Sequence, residues 1–469
     1  MAKMTDDREL ILGVLLEITR DGVYSHIAIR NVLEKYQYLD KKERAFITRV
    51  VEGTLERMIE IDYIINQFSN VKVNKMKPVI RTILRSAVYQ LKYMDGVPDS
   101  AVCNEAVKLA EKKGFRSLKG FVNGVLRTIA RNMDQIRYPE KEKNPVSWLS
   151  IHYSIPEWMV KLWLSEYGAE TVEKMLKGFL EEHPTVIRCN LRKQSEKELT
   201  ERLRKEGVKV EAHPYLSYAK KISGYDHLGG LESFRDGAFQ VQDISSMLVA
   251  EIAAPQRGNQ VIDVCAAPGG KSMHIADLLD GSGMVAARDL TEYKVGLIEE
   301  NICRTGFQNI RAEQKDATVF DKDSERIADI VIADLPCSGL GVLAKKTDLK
   351  YKMTKEGTES LAKLQREILG VVKNYVKEGG ALVYSTCTIN PAENLENVRW
   401  FLDNSPEFEA EDITPFLCGE LQKDVKEGCL QLLPGVHDSD GIFYCKVQKE
   451  EKVRGSYETG EKGYRIFPV

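Results

Sequence analysis

What this chain lacks narrows it first. None of its 469 residues fall in an apolar run of the roughly 20 that a membrane helix needs. The N-terminal MAKMTDDREL has no signal-peptide core. The expectation is a cytoplasmic protein with no membrane partner. Nine cysteines stand at 103, 189, 265, 303, 337, 387, 418, 429 and 445, an odd number with no C-x-x-C pair. That pattern argues against a disulfide framework and against a zinc ribbon, and no metal is expected. Most of these thiols read as small buried residues. Internal repeats and low-complexity segments are also missing, and a net charge of −3 does not announce a nucleic-acid binder.

What is present is unevenly spread. Residues 1–140 hold 24 Lys and Arg against 18 Asp and Glu, an excess of +6 that leaves −9 for the remainder. A basic module on an acidic body suggests an anionic partner for that module. The same 140 residues read as helix throughout. Leu10, Ile11, Val14, Leu15 and Ile18 recur at helical spacing, Asp40 and Glu43 form a capping-box pattern, and Pro78 opens another apolar-striped segment. A compact all-α bundle is expected. The charged stretch 138–145, with two prolines, reads as a linker. Residues 146–235 mix helix (156–180), strand (185–190), helix (195–206) and strand (208–212), an α+β accessory subdomain. From 236 to 449 strands and helices alternate, with strands at 261–265, 284–290, 310–315, 330–333 and 381–385. That is the mark of a doubly wound parallel sheet. Residues 441–448 alternate like an antiparallel edge strand, and 450–469 read as a tail.

The sharpest motif is VIDVCAAPGGKS, residues 261–272. A hydrophobic strand runs into a loop of small residues (Cys265, Ala266, Ala267, Pro268, Gly269, Gly270), and a helix follows from Lys271. Small residues let backbone approach a ligand closely, and helix amides face it. The loop has neither the Walker spacing nor the G-x-G-x-x-G dinucleotide fingerprint. Asp289 ends the second strand, where it can accept hydrogen bonds from a ribose diol. Asp316 ends the third, where it can receive an adenine amino group. Such acids repel phosphate and tolerate a neutral or cationic nucleoside, which favours S-adenosylmethionine over NAD.

Two thiols follow apolar strands. ADLPCSGLG (333–341) presents Asp334 and Cys337, and YSTCT (384–388) presents Cys387. A redox pair is one reading. Covalent catalysis is the other: C5 of cytosine is a poor nucleophile until a thiolate adds at C6. Such a site needs a thiolate, a hydrogen-bonding group near N3 and the amino group, and a base for the C5 proton. Cys387 also precedes a capping-box spacing (Asn390, Pro391, Glu393), so a helix start is expected there, with positive potential near the thiol.

Two resemblances rest on these residues. Val97-Pro98, NEAV (104–107) and KGFVNGVLR (119–127) resemble the NusB family of RNA-binding helical domains over most of residues 5–131. CAAPGGK (265–271), DLPCSG (334–339) and STCTINPAEN (385–394) resemble the RNA cytosine-C5 methyltransferases of the RsmB/NOL1/NOP2/Sun family over about residues 145–448. The resemblance implies a NusB-like bundle, an accessory subdomain and a Rossmann-like class I methyltransferase domain. It implies an S-adenosylmethionine pocket at 265–271 completed by Asp289, Asp316 and Asp334, with Asp334 positioning base and donor. It implies Cys387 as nucleophile and Cys337 as the group assisting product release. A NusB-like domain in front points to 16S ribosomal RNA as partner, with cytosine 967 by rRNA numbering as the family's usual target, and to a monomer. Two positions depart from the family's pattern: Lys294 where arginine is common and Thr347 where proline is common. Lys345, Lys346, Lys350 and Lys352 make a basic run after the Cys337 loop, and phosphate contacts are expected there.

Overall fold

A computed structural model describes residues 6–36, 38–181 and 183–451. The tail expected at 450–469 lies, from 452 onward, outside the described residues. Seven α-helices between Asp7 and Arg131 form the first body. The helix Asp7–Thr19 turns Ile11, Leu12, Val14, Leu15 and Ile18 inward, as the spacing predicts. Asp40 and Glu43 close a reciprocal cap on Lys41–Glu56, each accepting from the other's backbone N–H at 2.8 Å. Gly53 on that helix meets the Tyr89 ring of Pro78–Tyr93, and any side chain at 53 would overlap it. The expected linker is pinned to the bundle: the Tyr138 hydroxyl donates to buried Glu60 at 2.6 Å, and Lys92 pairs with the same carboxylate at 3.2 Å.

The accessory body is an antiparallel sheet of β1 (Thr185–Cys189), β2 (Lys209–Ala212), β3 (Ala219–Ser223) and β4 (Phe239–Val241), in the order β2-β3-β1-β4. Two strands correct the sequence reading. β3 was not expected, and β4 joins this sheet although it lies beyond residue 235. The helix Glu157–Gly178 bends at Gly168, whose φ of 74° is open to glycine.

The third body is built on β5 (Gln260–Asp263), β6 (Met284–Asp289), β7 (Ile310–Gln314), β8 (Ala328–Asp334), β9 (Val376–Thr386), β10 (Phe408–Ala410), β11 (Val425–Lys426), β12 (Cys429–Gln431) and β13 (Phe443–Lys449). Its order is β11-β12-β13-β9-β8-β5-β6-β7, with β10 paired to β13. β7, β6, β5, β8 and β9 are parallel, whereas β13 is antiparallel to β9. β13 is not an edge strand as its alternation suggested, because β12 covers its other side. The chain runs outward from β5 through β6 to β7, then returns to β8 on the other flank of β5. Strand order reverses there, at the carboxyl ends of β5 and β8. Ligands bind at such reversal points in open α/β sheets. Among the described residues no helix is long and apolar enough to cross a membrane, and no cluster of His, Cys, Asp or Glu could hold a metal ion.

Candidate active site

The loop after β5 sits at that reversal point. Ala266 N–H donates to Arg288 O at 2.8 Å and Ala267 N–H to the Asp289 carboxylate at 3.0 Å, so the end of β6 shapes the loop. Gly269 has a φ of 98°, and a Cβ there would press on Ile298 at 3.3 Å. The helix Gly270–Leu278 starts directly behind it. Asp289 is buried; its second oxygen accepts from Leu290 N–H at 2.8 Å and from Lys294 at 3.0 Å. Lys294 thus neutralises one side of the acid. Asp316 lies two residues past the end of β7, is exposed, and turns its carboxylate onto Thr318 N–H and Oγ1 at 2.9 and 2.7 Å. The small-residue loop, the helix start and a buried acid fit an adenosyl group with a diol; the loop's one cation, Lys271, is committed elsewhere.

Lys271 reaches across to Asp334 at the end of β8, Nζ to Oδ2 2.7 Å. The other Asp334 oxygen accepts from Ser385 Oγ at 2.8 Å. This is a consequence of register: Asp334 pairs with Ser385 across β8 and β9, and Leu335 N–H donates to Ser385 O at 3.1 Å. The two strands therefore end level. Three residues after Asp334 and two after Ser385, the chain places Cys337 and Cys387 with their sulfurs 3.1 Å apart, and Cys387 N–H donates to Cys337 Sγ at 3.2 Å. All nine cysteines are free. The hydrogen bond from Cys337 holds the Cys387 thiol below the ordinary thiol range, aided by Lys346 and Lys271 and opposed by burial and Asp334. Cys337, sharing its proton with Cys387 in a buried place, lies well above that range. The pair is thus asymmetric, one sulfur poised to carry charge and the other to keep a proton.

Residues 250–448 match the family described as 16S rRNA methyltransferase RsmB/F, residues 5–131 the NusB family, and residues 155–224 the ferredoxin-like domain of RsmF/B-like methyltransferases. The "Probable ribosomal RNA small subunit methyltransferase B" of Bacillus subtilis (strain 168) is 36% identical over 450 residues, 96% of this chain and 100% of that protein. The protein of the same name from Synechocystis sp. (strain ATCC 27184 / PCC 6803 / Kazusa) is 33% identical, covering 95% of this chain and 100% of its own. The chain belongs to the ribosomal RNA small subunit methyltransferase B family. The crystal structure of PH0851 superposes on it with a TM-score of 0.79 at 26% identity, covering 94% of this chain and 98% of that one.

Within this methyltransferase B framework the basic run needs correction. Lys350 is 2% exposed and its Nζ donates to Glu56 O of the helical bundle at 2.8 Å. Lys352 donates to Val23 O at 2.8 Å and pairs with Asp348 at 2.7 Å, while Asp348 accepts from Ser25 Oγ at 2.5 Å. Lys345 bridges Asp243 and Asp440 at 2.6 and 2.7 Å. Lys350 and Lys352 fasten this segment to the helical bundle and Lys345 is held by two carboxylates, so none of the three is free for phosphate. Lys346 alone of the four is exposed without such a bond. The helix start expected at Asn390 is a short 3₁₀ turn, Pro391–Glu393, and the helix proper is Leu395–Asp403. The depressed Cys387 pKa therefore comes from Cys337 and two lysines rather than from a helix end.

Sequence reasoning also passed over three residues of the site. Ser385 carries no signal of its own in the sequence beyond the motif that contains Cys387. Asp263 lies under the loop, fully buried, accepting from Ser272 Oγ at 2.6 Å, and burial raises its pKa to about 7. The spacing of Glu393 from Asn390 predicts a cap, and in the structure its carboxylate faces the Cys337 loop.

Proposed function

We propose that this chain is an S-adenosylmethionine-dependent RNA methyltransferase that modifies C5 of one cytosine in 16S ribosomal RNA, through a covalent bond between Cys387 and C6. The observation that carries the reading is the level ending of β8 and β9, with two thiols 3.1 Å apart beside an Asp334–Lys271 pair. Residues 265–271 with Asp289, Asp316 and Asp334 would hold the donor. When bound, S-adenosylmethionine supplies an electrophilic methyl group.

The chain's own groups do the remaining work. The Cys387 thiolate adds to C6, the S–C6 bond forms, and the C5=C6 electron pair becomes available at C5. Asp334, held by Lys271 and Ser385, would accept from the amino group of the ring, and would donate to N3 when it carries a proton. After C5 has gained its methyl group a base removes the C5 proton, and the returning electron pair expels Cys387 as thiolate. The proton kept on Cys337 lets it stabilise that leaving sulfur and so assist release. The target base must leave its stack to reach Cys387.

Bisulfite sequencing of ribosomal RNA from cells with and without the gene tests this reading. One cytosine of the small-subunit RNA, expected at position 967, resists conversion in wild type and converts in the deletion. Purified protein with labelled S-adenosylmethionine restores resistance at that base. Identical conversion in both strains, or labelling of a different base, sinks the proposal.

A further inference from the structure

Two sulfurs at neighbouring strand ends raise a question that β8 and β9 do not answer themselves. The proposed chemistry needs charge on Cys387 and a proton on Cys337, yet both thiols are half-buried at the same edge of the sheet. Their surroundings differ. On the Cys387 side lie two cations, Lys271 and Lys346, and the Asp334 carboxylate that Lys271 pairs with. On the Cys337 side lies Glu393.

Glu393 is 0% exposed. One oxygen accepts from Ser338 N–H at 2.8 Å and Gln365 Nε2 at 3.1 Å; the other accepts from Ser338 Oγ at 2.5 Å and Asn390 Nδ2 at 2.9 Å. Backbone N–H and amide NH₂ groups donate only, so this is an acceptor-only carboxylate. Among the described residues it forms no ion pair. A carboxylate buried away from any cation is costly unless its hydrogen bonds are complete. Here they are complete, and they are made to the residue adjoining Cys337. Ser338 Oγ also meets Thr388 Oγ1 at 2.7 Å, Gln365 Nε2 bonds Pro336 O at 2.9 Å, and the Tyr384 hydroxyl donates to Glu393 O. The set straps residues 336–338 to 388–393 and leaves a net negative charge behind Cys337.

We propose that Glu393 is a positioning residue that gives the thiol pair its polarity, its buried charge holding the proton on Cys337 and so leaving the charge to Cys387. The inference rests on the reading of Cys387 as nucleophile. The direction of the shifts agrees with it: Glu393 raises Cys337, behind the bond to Cys387, burial and the charge on Cys387, whereas Lys346 and Lys271 lower Cys387.

The test is the rate at which iodoacetamide alkylates each thiol of the full chain without RNA, followed by peptide mass spectrometry across pH. In wild type Cys387 reacts first. In Glu393→Gln the preference for Cys387 over Cys337 at neutral pH falls about tenfold, the equivalent of one pKa unit. Ser338→Ala keeps the charge and removes one bond of the strap; it lowers Tm and retains the preference. A folded Glu393→Gln protein with unchanged preference overturns the proposal, as does a loss in Ser338→Ala equal to that in Glu393→Gln. If Glu393→Gln does not fold, Lys346→Met, an exposed change facing the other thiol, should move the preference in the same direction; no movement counts against electrostatic polarity. Wild type reacting first at Cys337 would instead remove the nucleophile assignment on which the inference stands.

Discussion

Lys350 Nζ lies 2.8 Å from Glu56 O, joining the segment just after the Cys337 loop to the helical bundle across 294 residues of sequence. Tyr351 does the same through its hydroxyl to Leu55 O at 2.6 Å, and Lys352 through Val23 O. The bundle is therefore an anchor for the segment after the Cys337 loop as well as a candidate RNA-binding body.

Burial lowers the Lys350 pKa to about 7. The folded state sheds a proton that the unfolded state keeps, so this contribution to stability rises as pH climbs from about 7 toward the ordinary lysine value. Lys350→Met removes the dependence. Between pH 6 and pH 9 the stability of wild type relative to Lys350→Met should rise by about 2.5 kcal/mol, measured by urea unfolding. The same substitution should leave the salt dependence of RNA binding unchanged, whereas Lys346→Met should reduce its slope by about one.

Cys387→Ser should abolish methyl transfer and leave RNA retention on filters nearly unchanged. Cys337→Ser should accumulate a denaturant-resistant protein–RNA adduct in the presence of donor, seen as a shifted band on a denaturing gel. Normal turnover in the first, or wild-type turnover with no adduct in the second, contradicts the division of labour between the thiols.

Asp334→Asn removes the charge that Lys271 pairs with and leaves one acceptor oxygen where Lys271 and Ser385 each have one. The expected loss in kcat is roughly 10²–10⁴-fold, in the range of a displaced proton-transfer or hydrogen-bonding group. KM for RNA should change little. Ser385→Ala removes one hydrogen bond to the same carboxylate and should cost about tenfold or less, near the worth of a single bond.

Asp263 binds a proton in the folded state up to about pH 7 and in the unfolded state only near pH 4. Its contribution to stability is present at low pH and is lost as pH rises through the folded value. From pH 5 to pH 8 this amounts to about 2.5 kcal/mol. Asp263→Asn, which imitates the neutral acid, should flatten that part of the stability profile.

The sequence by itself determined the class of this protein. Helical spacing, the capping box at Asp40 and the alternation after residue 236 are local signals, written in neighbouring residues, and each survives in the structure. The loop 265–271 and the two thiol motifs were legible for the same reason, since each lies within a few residues of a strand end. What tertiary structure decided is which strand ends meet. Cys337 and Cys387 touch because β8 and β9 pair with Asp334 level with Ser385, a register no local pattern carries. The lysines at 345, 350 and 352 look like a phosphate strip in sequence, yet their fate depends on carbonyls and carboxylates from the helical bundle, the accessory region and the loop before β13. Glu393 shows the same limit. Its spacing from Asn390 reads as a cap, but a buried carboxylate takes the donors that the fold brings to it, and here those come from beside Cys337.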